Sequence, residues 1–226
     1  MYNRTSLLIS IFLLGGITTI VPTAAEAQVL VAQKSTQRVR ELLNEGRKLV
    51  DAGDYNGAIA IYQQAASLEP KNASIHSGIG YLYAIQNNMR ASLAAYKRAV
   101  ALNPNNGDYQ YALGYVSATL GDIKGAKNAY RQAIQANRNH VNAYLGLATI
   151  LMRQGEYENA GWAYVQLAKL DPRNPQVYEL RGNILKKYGK AKEAIAYFKK
   201  ARDAYAQQGK QDSVARVEAV LKQIGG

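Results

Sequence analysis

An aromatic side chain returns every 34 residues through most of this chain: Tyr62, Tyr96, Tyr130, Tyr164, then Phe198. Its surroundings return with it, as in "AYKRAVALNP" (Ala95–Pro104), "AYRQAIQANR" (Ala129–Arg138) and "AYVQLAKLDP" (Ala163–Pro172). A catalytic motif is normally used once, so a side chain needed at every 34th position marks a structural unit. The period therefore says what kind of structure this is before it says which partner it serves.

From Val39 the register gives five blocks: 39–72, 73–106, 107–140, 141–174 and 175–208. Each reads as two helices. In the first helix of the first block, Leu42, Gly46 and Leu49 share one face. Gly80 with Tyr83, Leu113 with Gly114, Leu147 with Leu151, and Gly182 with Leu185 take corresponding places later, and Ala148 replaces the glycine in the fourth block. Small residues there let two helix axes approach closely. Gly53, Asn87, Gly121, Gly155 and Gly189 follow in step, the residue types that most readily end a helix in the left-handed conformation. The second helix carries the stripe Ala58/Tyr62/Ala65, repeated as Ser92/Tyr96/Ala99, Ala126/Tyr130/Ala133, Ala160/Tyr164/Ala168 and Ala194/Phe198/Ala201. Pro70, Pro104 and Pro172 close three blocks, where proline stops a helix. The recurring aromatic is therefore expected to fill the space left by small neighbours.

This pattern resembles the tetratricopeptide repeat, with its leucine–glycine pair, tyrosine, alanine, aromatic and proline in order. The resemblance covers 39–208. Where that family often carries tryptophan, the chain has Leu42, His76, Gln110, Tyr144 and Tyr178. The third block also has Ser117 for tyrosine and Arg138 for proline, so it is expected to be the softest. The implied fold is all-α: a right-handed superhelical solenoid of five helix–turn–helix repeats. Residues 209–226, with Val214, Val217, Leu221 and Ile224 on one face, would form a capping helix over its open end.

The resemblance also implies a concave groove, lined by first helices, in which a peptide or a partner helix lies. One residue round from the core stripe stand Arg47, Tyr81, Tyr111, Tyr115, Leu145, Met152 and Asn183, the candidate groove residues. Tyr81, Tyr111 and Tyr115 would make an aromatic floor, since tyrosine joins apolar area to a hydroxyl at low entropic cost. Packing between adjacent repeats is the competing role for Tyr81 and Tyr115. The basic clamp by which some relatives hold a terminal carboxylate looks absent, because Leu43, Ser77 and Tyr111 stand where it would start.

Residues 1–27 read as an export signal. Arg4 precedes the apolar run Leu7–Val21, Pro22 breaks it, and Ala25 and Ala27 offer small residues to a signal peptidase. The run is shorter than the roughly 20 residues that span a bilayer. A periplasmic, lumenal or secreted location follows, with a membrane tether through an uncleaved segment as the alternative. Residues 28–38, without helical period, read as a tether.

Little supports catalysis. The chain has no cysteine and two histidines. His76 replaces a packing aromatic, and His140 sits in an inter-repeat turn where exposure is the default. HExxH, GxxxxGK[ST] and GxSxG are all missing, so no catalytic residue, cofactor or metal is expected. Glu156, Glu158, Asp51 and Asp54 lie beside turns, where capping or solvation accounts for them.

The net charge is +12, of which residues 175–226 carry +6. Lys186, Lys187, Lys190, Lys192, Lys199, Lys200 and Arg202 supply most of that. The sequence leaves three roles open for them: a solvated surface, a patch for an acidic protein, lipid headgroup or polymer, and nucleic acid. The last is disfavoured by the export signal and by the lack of a nucleic-acid-binding motif. The leading reading is an exported, non-enzymatic scaffold that binds a protein or peptide partner in an envelope or secreted assembly. Its rivals are a binder of anionic surfaces through the basic carboxyl-terminal end, and a non-catalytic accessory subunit of an envelope enzyme.

Overall fold

A computed structural model describes residues 24–225. The expected export signal therefore lies, for residues 1–23, outside the described residues. The chain divides into two units, one ending at Arg38 and one beginning at Val39. All regular structure among the described residues is helical: α1 (Ala24–Asp51), α2 (Tyr55–Leu68), α3 (Ala73–Ile85), α4 (Met89–Leu102), α5 (Gly107–Thr119), α6 (Ile123–Ala136), α7 (Val141–Arg153), α8 (Tyr157–Leu170), α9 (Pro175–Lys187), α10 (Ala191–Gln207) and α11 (Gln211–Gln223). From Val39 onward these form sequential antiparallel pairs, the arrangement of a helical solenoid.

One expectation is corrected at once. Residues 28–38 are helical within α1, not an irregular tether. The stretch has neither glycine nor proline, and its Ala, Gln, Leu, Lys and Arg residues are good helix formers. Gln28, Gln33 and Lys34 are exposed.

The turns inside the blocks follow from backbone chemistry. Gly53, Asn87, Gly121, Gly155 and Gly189 have φ of 80°, 58°, 83°, 77° and 72°. This is the left-handed region that glycine enters freely and asparagine tolerates. The next residue folds back in each case, its N–H donating to a carbonyl five residues earlier: Asp54 to Leu49, Asn88 to Tyr83, Asp122 to Ser117, Glu156 to Leu151 and Lys190 to Leu185. Those bonds close the first helix as a Schellman motif. The next helix then starts on a side-chain cap in three of the five blocks, with Asp54, Asn88 and Asp122 accepting from Gly57, Ala91 and Gly125.

The recurring aromatic lies against the recurring glycine. A methyl group placed on Gly80, Gly114 or Gly182 would come within 3.0, 2.7 and 3.0 Å of the rings of Tyr96, Tyr130 and Phe198 respectively. Tyr130 is enclosed on a second side as well, because a methyl on Gly146 would approach its Cζ to 2.5 Å. Tyr96, Tyr130 and Phe198 are buried, whereas Tyr62 and Tyr164 are only half-buried. The fourth block explains its own exception, since Ala148 fills the place that glycine vacates elsewhere. The ring of Tyr164 lies instead beneath the Arg181 guanidinium, 5.0 Å away. Ser92, the polar member of the alanine stripe, donates its hydroxyl to the Gly80 carbonyl at 2.7 Å and is fully buried.

In the third block, Ser117 is buried and Arg138 is exposed. The buried apolar clusters run through α1–α3 and again from α6 to α9, with Ala95 of α4 packed on the first and Tyr111 and Ala118 of α5 on the second. At the far end, Val217 and Leu221 of α11 are buried against Leu185, Phe198, Ala201 and Tyr205, with Val214 and Ile224 partly covered. Helix α11 thus shields the apolar end of the last pair.

Candidate functional site

The first helices of the blocks present one register of side chains at 34-residue spacing: Arg47, Tyr81, Tyr115, Thr149 and Asn183. Tyr81 and Tyr115 stand free of the core, 57% and 48% exposed. Exposed on consecutive repeats, the two rings are available for contact. Arg47 is exposed too, and its Nη1 donates to Asn44 Oδ1 at 3.2 Å on its own helix.

Tyr111 behaves differently from the floor residue expected of it. Its ring is half-buried, with centroids 5.9 Å from Tyr130 and 5.0 Å from His140. It braces the core more than it lines the groove. His140 corrects the expectation of exposure, being only 9% exposed. It takes the N-cap position of α7, where its Nδ1 accepts the Ala143 N–H at 3.3 Å. Its Nε2 lies 3.2 Å from Asp108 Oδ1. A turn histidine is buried here because it caps a helix and packs at a tilt against Tyr111. His76 and Gln110, one block apart in the same register, also share a task. Each sits against the carbonyl of its closing proline, His76 Nε2 at 3.0 Å from Pro70 and Gln110 Nε2 donating to Pro104 at 2.9 Å.

The phenols near this face are uncharged at neutral pH. Burial, with Tyr81 and Tyr111 nearby, pushes the Tyr96 hydroxyl up to about 12. Burial pushes Tyr130 higher still, helped by Tyr111 and Tyr115. Tyr96 and Tyr130 lie beneath this face, and the rings it exposes are those of Tyr81 and Tyr115.

Toward the carboxyl end, the same register opens into a cleft of about 420 Å³. It brings together Leu145 and Met152 of α7 with Asn183 of α9, three of the candidate groove residues, beside Thr149, Arg153 and Lys187. One end is closed by Glu179, whose Oε2 accepts the Tyr205 hydroxyl at 2.9 Å and whose Oε1 pairs with Arg216 of α11. Burial and the Glu179 carboxylate raise the Tyr205 hydroxyl to about 12. The terminal helix therefore also supplies a wall of the groove, a role its apolar face alone does not announce.

The basic residues have different immediate surroundings. Lys199 and Arg202 share a shallow cleft with Glu218 and Lys222 between α10 and α11. Lys200 lies over the Tyr197 ring and Lys187 over Tyr157, at 5.3 and 5.9 Å. Lys186 donates to Gln223 Oε1 at 3.3 Å, Lys190 pairs with Glu193 at 3.5 Å, and Lys192 stands exposed. Among the described residues, no group of three or more His, Cys, Asp or Glu side chains converges in a way that could hold a metal ion.

Trp162 is the residue that pattern reading passed over. It is the only tryptophan of the chain and is 51% exposed on α8. The corresponding residues elsewhere are Ala60, Ala94, Asn128 and Ala196, so its departure from register was the available signal.

Helix pairs with glycine turns, an aromatic–glycine plug and a register of exposed first-helix side chains define a helical-repeat scaffold. The family models agree: residues 46–87 match the TPR repeat, and 86–126, 111–175 and 175–208 match the tetratricopeptide repeat. The chain belongs to the tetratricopeptide repeat family, a family of protein-binding scaffolds that are typically non-catalytic. No curated relative matches it. Among solved structures, it is similar to the crystal structure of MamA protein, with 24% identity, TM-score 0.69, and coverage of 77% of this chain and 96% of that one. YrrB, described as a TPR protein with an unusual peptide-binding site, matches at 21% identity and TM-score 0.66, covering 87% of this chain and 100% of its own. A tetratricopeptide repeat protein from Parabacteroides merdae ATCC 43184 matches at 19% identity and TM-score 0.68, covering 83% and 79%. At these identities the likeness establishes the fold.

Proposed function

We propose that this protein is an exported, non-catalytic scaffold that holds an extended peptide or a partner helix along the face formed by its first helices. The observation that carries the reading is the pair Tyr81 and Tyr115, half-exposed on consecutive repeats and continued in register by the Leu145–Met152–Asn183 cleft. Tyrosines in such positions make good anchors, since each offers ring area and one hydroxyl while losing little rotamer freedom. The peptide-binding description attached to YrrB supports the same class of ligand. The signal-like pattern of residues 1–27, with its apolar run Leu7–Val21 and small Ala25 and Ala27, supports placement in the periplasm, a lumen or the medium.

The test uses one captured partner and two sets of variants, with affinities taken at two salt concentrations. Tyr115→Ala and Tyr81→Ala should each weaken binding by about 1–3 kcal/mol, as hot-spot truncations do, with little change in melting. Tyr115 is a cleaner probe than Tyr111, whose truncation would also loosen Tyr130 and His140. If the rival anionic-surface reading holds, replacing Lys186, Lys187, Lys199 and Lys200 by glutamine abolishes binding instead. Affinity then falls steeply with salt while the tyrosine variants bind normally.

A further inference from the structure

A second cleft lies on the side of the second helices, remote in register from the groove just described. It is larger, about 760 Å³, and opens between α6 and α8. Its floor is the back of α7, where Tyr144, Leu147 and Leu151 are all buried. Trp162 rises from one wall with its ring 5.7 Å from that of Tyr144. It is thus held in place by the floor and still half in water. Ile134 stands on the opposite wall and Leu170, 36% exposed, lies further along α8. The rim is cationic: Arg131, Arg138 and Lys169 line the cleft, and no carboxylate does. None of the three lies within ion-pair distance of a carboxylate among the described residues. Arg131 does add to the positive field acting on Glu156.

The charge here is local. Arg131 and Arg138 come from the third block, which carries +2, and Lys169 from the fourth, which is neutral, while the chain's surplus of lysine sits in 175–226. An apolar trough around a fixed indole, ringed by three cations and no anion, is complementary to one kind of occupant. We propose that this cleft binds an acidic protein segment that inserts an aliphatic or aromatic side chain against Trp162 and sets carboxylates on Arg131, Arg138 and Lys169. Desolvating the ring supplies affinity, and the three cations, none in an ion pair, select the sign of the partner's charge. The scaffold would then carry two ligands on two faces.

Because Trp162 is the only tryptophan, its emission reports this cleft directly. The probes are short synthetic peptides with one Leu, Ile or Phe among Asp and Glu residues, matched to versions with Asn and Gln in place of the acids. Acidic members of the panel should change Trp162 emission saturably. Their affinity should fall about tenfold in the Arg131→Gln/Arg138→Gln/Lys169→Gln variant, and should weaken between about 50 and about 300 mM salt. All three substitutions are on exposed side chains, so helicity and melting should stay unchanged and are to be checked. Tyr115→Ala should bind the same peptides normally. The proposal is overturned if no acidic peptide gives a saturable change or if the neutral versions bind equally well. It is overturned equally if the charge variant binds like the parent, if Tyr115→Ala abolishes the signal, or if anionic phospholipid vesicles move the emission and the peptides do not.

Discussion

The Tyr130 plug makes a prediction whose sign depends on the fold. Tyr130 is 3% exposed and is enclosed by Gly114 of α5 and Gly146 of α7. Tyr130→Ala removes a buried ring and should cost about 3–5 kcal/mol. Gly146→Ala is the more informative change. Within a helix, alanine is favoured over glycine by about 1 kcal/mol. In the parent protein, however, the new methyl would lie 2.5 Å from Tyr130 Cζ, and Gly114 bounds the same ring from α5. Overpacking of that severity costs about 3 kcal/mol, the upper part of its usual range. Gly146→Ala should therefore destabilise the parent by about 2 kcal/mol and stabilise Tyr130→Ala by about 1 kcal/mol, a coupling of about 3 kcal/mol. Urea unfolding followed by helix signal gives the four stabilities. Amide exchange across α6 and α7 guards against segmental melting, to which solenoids are prone. If Gly146→Ala stabilises both backgrounds alike, the ring is not where the packing argument puts it and the repeat register is wrong.

The buried phenols give a pH prediction. With the folded Tyr96 and Tyr205 hydroxyls at about 12 and Tyr130 higher, the unfolded chain loses protons first above its ordinary value near 10. Stability should hold up to pH 10 and fall beyond it. Ultraviolet titration should show a group of late-ionising tyrosines, and its absence would place these rings in water. Protein from the native host should begin at Gln28 by amino-terminal sequencing; a membrane-embedded product still bearing Met1 would overturn the export reading. Arg216→Ala should free Glu179 and loosen the end of the groove, lowering affinity for the captured partner several-fold. Unchanged affinity would remove α11 from the groove.

Much of the fold could be read from the sequence because its determinants are local and repeated. A left-handed turn tolerates few residues, so Gly53, Asn87, Gly121, Gly155 and Gly189 announce themselves. A ring against a glycine is likewise visible once both return every 34 residues. What escaped depends on three-dimensional neighbours. Residues 28–38 needed no apolar period to be helical, only the absence of a breaker. His140 follows the rule for turn residues until its ring caps α7. Tyr111 and Tyr115 share a helix face, yet Tyr130 and His140 cover only the first. The lysines of 186–202 look contiguous in sequence, but adjacent helical residues point about 100° apart, so Lys199 and Lys200 serve different surroundings. Trp162 broke register, and a search for what recurs does not weigh what occurs once.

The central claim is that the first-helix face holds a protein partner, and photo-crosslinking in the native host tests it most directly. A benzophenone amino acid placed at Tyr115 or Asn183 should crosslink one discrete protein partner, and the same group at Lys192 or Lys200 should not. Crosslinks from the lysine positions alone, with none from Tyr115 or Asn183, would contradict the account.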